Sequence, residues 1–185
     1  MPATSVLTAI IPLLLLTSLA GTAAGQAAPG GCSAYTASLQ KEFAAIASSP
    51  IPVSAAGTAA TAPALARGRA ADVRLVRQRD TTFAHPPERQ RGGPDSYAGI
   101  VSLGVLPAGR WRISMNQALW VDLVAGGKLL ASPDFEMQGQ CPQIVKSVVF
   151  EQAVAGVTLL QISGGDVPAV RVVVTEASAP TARRP

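Results

Sequence analysis

Residues 97–116 read YAGIVSLGVLPAGRWRISMN, and this stretch decides the fold. Its first ten residues are an apolar, β-branched run, and Pro107-Ala108-Gly109 supplies a turn. In RWRISMN the apolar side chains Trp111, Ile113 and Met115 alternate with Arg110, Arg112 and Ser114. A period of two places the first set on one face of a strand and the second on the other. The stretch therefore reads as strand, turn and strand.

The same pattern continues downstream. ALWVDLV and KLLAS flank Gly126-Gly127, a pair that supplies the positive φ angles of a primed hairpin turn. PDFEMQGQCPQ is expected as a loop, followed by strands over IVKSVVFEQ, GVTLLQISG and AVRVVVTEA. Upstream, Asp72 to Arg77 alternates for long enough to make one strand. Short strands with frequent turn signals predict a mainly β chain, an antiparallel β-sandwich of jelly-roll type. Aromatic residues are only 4% of the chain, so its core must be built from Val, Leu and Ile.

One helix is expected before the strands. Tyr35, Leu39, Phe43 and Ile46 fall at spacings that share a face, while Lys41 and Glu42 are expected to face elsewhere, and Pro50 and Pro52 end the helix. The segment VSAAGTAATAPALARG then reads as a linker without periodicity. Arg77 to Ser96, with Pro86-Pro87 and Gly92-Gly93-Pro94, reads as a long mobile loop.

The N-terminus sets the compartment. Val6 to Ala20 is an uncharged apolar run followed by small residues, which predicts a signal peptide cleaved after Ala24 or Gly25, with Ala28 as another site. The run is too short for a spanning helix, which needs about 20 apolar residues, and Pro12 interrupts it. No stable membrane span is expected after cleavage. Cys32 follows Pro29-Gly30-Gly31, which lacks the aliphatic residue of a lipidation box. The expected organisation is a signal peptide over 1–25, helix and linker over 26–69, sandwich over 70–176 and a disordered tail over 177–185.

Export to the periplasm or medium places Cys32 and Cys141 in an oxidising compartment, where two cysteines predict one disulfide. The rival reading, a catalytic thiol, lacks a base: the single histidine, His85, lies in the Pro- and Arg-rich loop.

The net charge of +4 is concentrated between Arg67 and Arg91, where seven arginines stand against Asp72, Asp80 and Glu88. Such a stretch suits an anionic glycan, lipopolysaccharide or nucleic acid. Without interleaved aromatics, nucleic acid is not expected as a partner, and a solvated loop and strand face is the favoured reading of the charges.

AGRWRISM, LWVDLVAGGKLLAS and IVKSVVFEQAVAGVTLLQISG, with a cysteine loop and a valine-rich last strand, resemble a family of small exported bacterial proteins. Those proteins pair an N-terminal cysteine with one in the sandwich. The layout is also similar to pre-peptidase C-terminal and carbohydrate-binding sandwiches. The resemblance implies a fold and an exported setting more than a chemistry. Short relatives of this kind carry a homogentisate dioxygenase label, but that iron chemistry needs two histidines and a carboxylate, and this chain has one histidine.

Other catalytic patterns are absent from the sequence. There is no zinc-ligand spacing and no G-x-S-x-G elbow, and Ser163-Gly164-Gly165-Asp166 reads as a strand-end turn. Asp122, Asp134, Glu136 and Glu151 are carboxylates, but nothing in their spacing sets two at glycosidase distance. No catalytic residue, metal ligand or cofactor is assigned. Trp120 and Asp122 share a strand face and suggest a sugar platform, with Arg110 and Arg112 as outward-facing companions. Against this stands a structural role for both Trp120 and Asp122. Lys146 is expected to pair across strands with Asp122 or Glu151. The expected function is a non-catalytic exported module that binds a glycan, envelope component or protein partner. The alternatives are a structural or assembly domain and an enzyme with an unrecognised site.

Overall fold

A computed structural model of the chain describes Cys32 and residues 39–178. The expected signal peptide, Tyr35 and all but the first two residues of the expected tail lie outside the described residues. Among the described residues eleven strands, β1 (Ile51–Ser54), β2 (Ala71–Arg74), β3 (Val76–Arg77), β4 (Tyr97–Leu106), β5 (Gly109–Met115), β6 (Trp120–Ala125), β7 (Lys128–Leu129), β8 (Ala131–Met137), β9 (Lys146–Gln152), β10 (Gly156–Gly165) and β11 (Ala169–Glu176), form two sheets, with order β1-β2-β11-β5-β9-β8 in the first and β3-β4-β10-β6-β7 in the second. The long strands are β4, β5, β6, β9, β10 and β11. Every pairing between neighbours is antiparallel except that of β1 (Ile51–Ser54) with β2 (Ala71–Arg74).

Two stretches cross between the sheets. The segment 72–77, expected as one strand, splits into β2 in the first sheet and β3 (Val76–Arg77) in the second. KLLAS does the same, passing from β7 (Lys128–Leu129) to β8 (Ala131–Met137). If each crossing pair counts as one bent strand, eight strands remain beside β1. The first sheet then runs one, eight, three, six and the second half of five, and the second runs the second half of one, then two, seven, four and the first half of five. That is jelly-roll order, two Greek keys wrapped into a sandwich.

The core lies between the sheets. Trp111, Ile113 and Met115 face inward from β5 as their alternation predicts, opposed by Val101 and Leu103 of β4, Val121 and Leu123 of β6, and Leu160 and Ile162 of β10. The glycines of the β6–β7 turn have φ of 56° and 74°, the left-handed pair a primed hairpin requires.

Helix α1 (Gln40–Ile46) lies on the outer face of the first sheet. Leu39 and Ile46 pack with Ile144 and Val173 in a second apolar cluster, and the Cys32–Cys141 disulfide sits within it. Glu42 does not face away as expected. It is 1% exposed, accepts a hydrogen bond from the Thr175 hydroxyl and lies 3.7 Å from Arg112. A charged residue on the packing stripe is held there by buried partners on the sheet, which helical periodicity cannot register.

Two loop expectations are corrected. The linker segment contributes β1, and Ala56 and Ala64 then bridge to Ile100 and Ser102 along the edge of β4. Small residues suit this close backbone approach, and they carry no periodic pattern. PDFEM is strand, not loop: it lies in β8, which pairs with β9 at the end of the first sheet. Nearly all of β8 is exposed, so it has no buried face to produce an alternation, and Pro133 lies at a register shift that an edge strand tolerates.

The disulfide closes a loop of sequence separation 109. Replacing both cysteines, Cys32→Ser with Cys141→Ser, is expected to lower unfolding free energy by about 2–5 kcal/mol. Urea denaturation should show the loss as a lower midpoint, and hydrogen exchange should place the earliest loss of protection in α1.

Candidate functional site

At the start of β6, Val121 and Leu123 enter the core, so Trp120 and Asp122 must point out of the second sheet. The arginine-rich loop covers this face. Gln161, opposite Asp122 in the β10–β6 register, grips the His85 backbone twice: its Oε1 accepts from His85 N–H at 3.1 Å, and its Nε2 donates to His85 C=O at 3.0 Å. Gln78 ties the loop's ends, accepting from Gly164 N–H at 2.9 Å and donating to Arg91 C=O at 3.0 Å. Through these hydrogen bonds the stretch expected as a long mobile loop lies against the sheet.

Beneath it, Asp122 is 4% exposed and takes the Trp120 indole N–H at 3.0 Å. Burial raises its carboxyl above the ordinary range, against the lowering effect of bonds from the Trp120 indole and the Glu88 backbone. Asp122 therefore orients the indole and anchors the loop, and its carboxylate does not face solvent.

Three cations surround the half-buried Trp120 ring. Arg89 Cζ lies 5.5 Å, Arg91 Cζ 5.9 Å and Lys146 Nζ 4.8 Å from its centroid. All are within cation–π range. Lys146 arrives from the other sheet: it opposes the inward-facing Met115, reaches across the end of the sandwich and donates to Leu119 C=O at 2.9 Å. Burial lowers its pKa, nearby Arg91 adds to this, and Asp122 opposes it. Close by, Arg77 lies 4.3 Å from the Tyr97 ring, and Arg79 pairs with Asp95 at 2.7 Å. The indole face is thus occupied by cations. What the site presents outward is guanidinium charge held in place by an aromatic ring, suited to carboxylate or sulfate groups.

The other two expected site residues lie elsewhere. Arg110 and Arg112 project from the outer face of the first sheet, across the sandwich from Trp120. Arg112 is not solvent-facing. It is 6% exposed beneath α1, 3.7 Å from both Glu42 and Glu136, with Ser147 Oγ accepting from its Nη1 at 3.4 Å. Arg110 is half-buried and 3.7 Å from Glu151, one of the two carboxylates expected for Lys146; the other, Asp122, is the one whose charge acts on Lys146. The sequence therefore brings Trp120 and Asp122 together correctly and misses Arg89, Arg91 and Gln161. The arginines were visible as a charged run, but nothing local showed that the run folds back over β6.

Comparison of the chain with family models, curated proteins and solved structures finds no match.

Two outcomes test this geometry. The fold holds the Asp122 proton more tightly than the unfolded chain does. Its contribution to stability is therefore full below the ordinary carboxylate pKa of about 3.9 and is lost as pH rises through the raised value. Asp122→Asn should remove that component, so urea unfolding of wild type and variant from pH 3 to 8 should diverge as the wild type loses stability. Gly164 has φ of 70°, and a Cβ there would overlap Arg91 Cβ. Gly164→Ala should lower stability by about 1–3 kcal/mol and loosen the loop, read as faster amide exchange at Gln78 to Ser96.

Proposed function

We propose that the chain is an exported, non-catalytic β-sandwich module of the periplasm or cell exterior that binds an anionic glycan of the envelope. The observation that carries this reading is the set of three cations around the Trp120 ring, two of them, Arg89 and Arg91, on a loop hydrogen-bonded to the sheet through Gln78 and Gln161 and the third, Lys146, on β9. Preorganised guanidinium groups lose little entropy on binding, and spaced anions along a polymer would engage several of them. The disulfide is compatible with an oxidising compartment, and among the described residues no helix is long and apolar enough to cross a membrane. The resemblance to exported carbohydrate-binding sandwiches fits the same reading.

Arg89→Ala with Arg91→Ala is expected to weaken binding to a uronate-containing or sulfated polysaccharide about tenfold or more, the equivalent of about 1.4 kcal/mol. Affinity electrophoresis against neutral and acidic polysaccharides is the measurement. Binding of the wild type to neutral polymers alone, or equal binding by the double variant, removes the proposal's basis.

A second reading, an assembly domain, is supported by the outer edge of β8. All but one of its residues are exposed, and Phe135 and Met137 stand 64% and 50% exposed beside it. A strand edge that has no partner among the described residues and carries apolar side chains is a template for strand addition by another protein.

A further inference from the structure

β8 ends the first sheet, with β9 on one side and no strand on the other among the described residues. The register decides which of its groups face that free edge. Gln138 N–H donates to Val145 C=O at 2.9 Å, and in the same ladder Glu136 and Asp134 lie opposite Ser147 and Val149. Bonded and non-bonded residues alternate along an antiparallel pair, so Glu136 and Asp134 also turn their N–H and C=O groups to β9. Phe135 and Met137 turn theirs to the free edge. Upstream, Pro133 and the register shift between Ala131 and Asp134 interrupt the edge. Its open part therefore runs from Asp134 to Met137.

The side chains of this stretch divide by face. Phe135 stands opposite Val148, which points into the core, so Phe135 and Met137 lie on the inner face of the first sheet. The second sheet stops short of them: its last strand, β7, pairs with β6 only at Val124 and Ala125. Both side chains are consequently open to solvent, at 64% and 50% exposure. Asp134 and Glu136 project from the outer face. Glu136 lies 3.7 Å from Arg112, which Glu42 approaches equally closely, and Glu151 on neighbouring β9 lies 3.7 Å from Arg110. Asp134 has no ion pair among the described residues. Four carboxylates thus meet two guanidinium groups at this end of the sheet, on a chain whose net charge is +4.

Those charges decide what can pair with the edge. Like charges directly opposite one another weaken a strand pair, and opposite charges strengthen it. A second copy added antiparallel about a twofold axis at Asp134 sets Asp134 against itself. An axis at Phe135 sets Asp134 against Glu136, and an axis at Glu136 sets Glu136 against itself. Self-pairing is disfavoured in each register, whereas a strand with cations at alternate positions is favoured. We infer that the edge from Asp134 to Met137 docks an extended segment of another protein in which basic and apolar residues alternate. The basic side chains lie beside Asp134 and Glu136, the apolar ones beside Phe135 and Met137, and the main chain bonds the free groups of Phe135 and Met137. This inference rests on the assembly-domain reading, whose partner it describes, and is independent of the glycan reading of the Trp120 face.

The test titrates the full chain with the peptides KVKVK, TVTVT and EVEVE, capped at both ends, and follows the backbone amide resonances of Phe135 and Met137. KVKVK is expected to give saturable shifts at both amides and to bind about fivefold or more tightly than TVTVT, with no saturable shift from EVEVE. N-methylation of both valines of KVKVK removes the donors that face β8 and should abolish the shifts. Asp134→Asn, at an exposed position, should weaken KVKVK about threefold and leave TVTVT unchanged. Equal affinity for all three peptides, with shifts at Phe135 and Met137, would overturn the basic partner and leave strand addition standing. No saturable shift at these amides with any peptide, or undiminished binding of the N-methylated one, would remove strand addition as well. Sedimentation of the chain alone is expected to show a monomer; a dimer disrupted by KVKVK would assign the edge to a second copy and overturn the inference.

Discussion

At Leu75 and Leu130 the chain passes from one sheet to the other, and the sandwich depends on those two corners. Leu75 is buried in the core, with its N–H bonded to Pro168 C=O at 2.8 Å; Leu130 packs against the core and bonds Leu123 C=O at 2.8 Å. Each corner spends one apolar side chain and one backbone bond to redirect a strand without exposing its polar groups. By joining the sheets at both sides, the corners fix which inner faces meet, and the Val, Leu and Ile rows then supply the hydrophobic stabilisation. They also leave β6 and β10 with an outer face that the loop 77–96 can cover.

The two outer faces are finished differently. On the second sheet the cover is polar and cationic: Gln161 and Gln78 satisfy loop backbone groups, and the arginines lie over aromatic rings. On the first sheet the cover is a helix clipped by a disulfide, with Arg112 buried between Glu42 and Glu136. Buried ion pairs of this kind contribute little net stability but penalise loss of one partner, so they fix where the helix sits. Three buried polar atoms, Glu42 Oε2, Arg110 Nε and Arg112 Nε, have no hydrogen-bond partner among the described residues, which marks this interface as the less well satisfied of the two. A surface pair such as Asp72 with Arg171, bonded at 2.8 and 3.0 Å, lies outside both interfaces. It holds the Asp72 carboxyl below the usual range and, at a solvated site, adds little to stability.

The inward-facing row of β5 was legible because burial on one face imposes a period of two, and β4, β6, β9, β10 and β11 were legible as strands because apolar runs lie between turn residues. The β6–β7 turn was legible because only glycine pairs of that kind take both positive φ angles at low cost, and the disulfide because two cysteines in an oxidising setting leave one pairing. β8 and the segment 51–65 were not legible, since an edge strand exposed on both faces and a run of small residues carry no periodic signal. Of the candidate site, the shared face of Trp120 and Asp122 followed from alternation alone. Their cationic neighbours did not, because Arg89, Arg91 and Lys146 reach the ring from a loop and from the opposite sheet.

The sequence by itself thus determined the fold class and most of the long strands, which follow from local pattern and turn chemistry. Only the tertiary structure decided which polar residues meet. Arg112 became a buried partner of Glu42 instead of a surface ligand, and Trp120 became the support of a cationic rim instead of a bare stacking platform. The physical reason is that side-chain alternation specifies the face a residue occupies, whereas what covers that face depends on contacts between segments far apart along the chain.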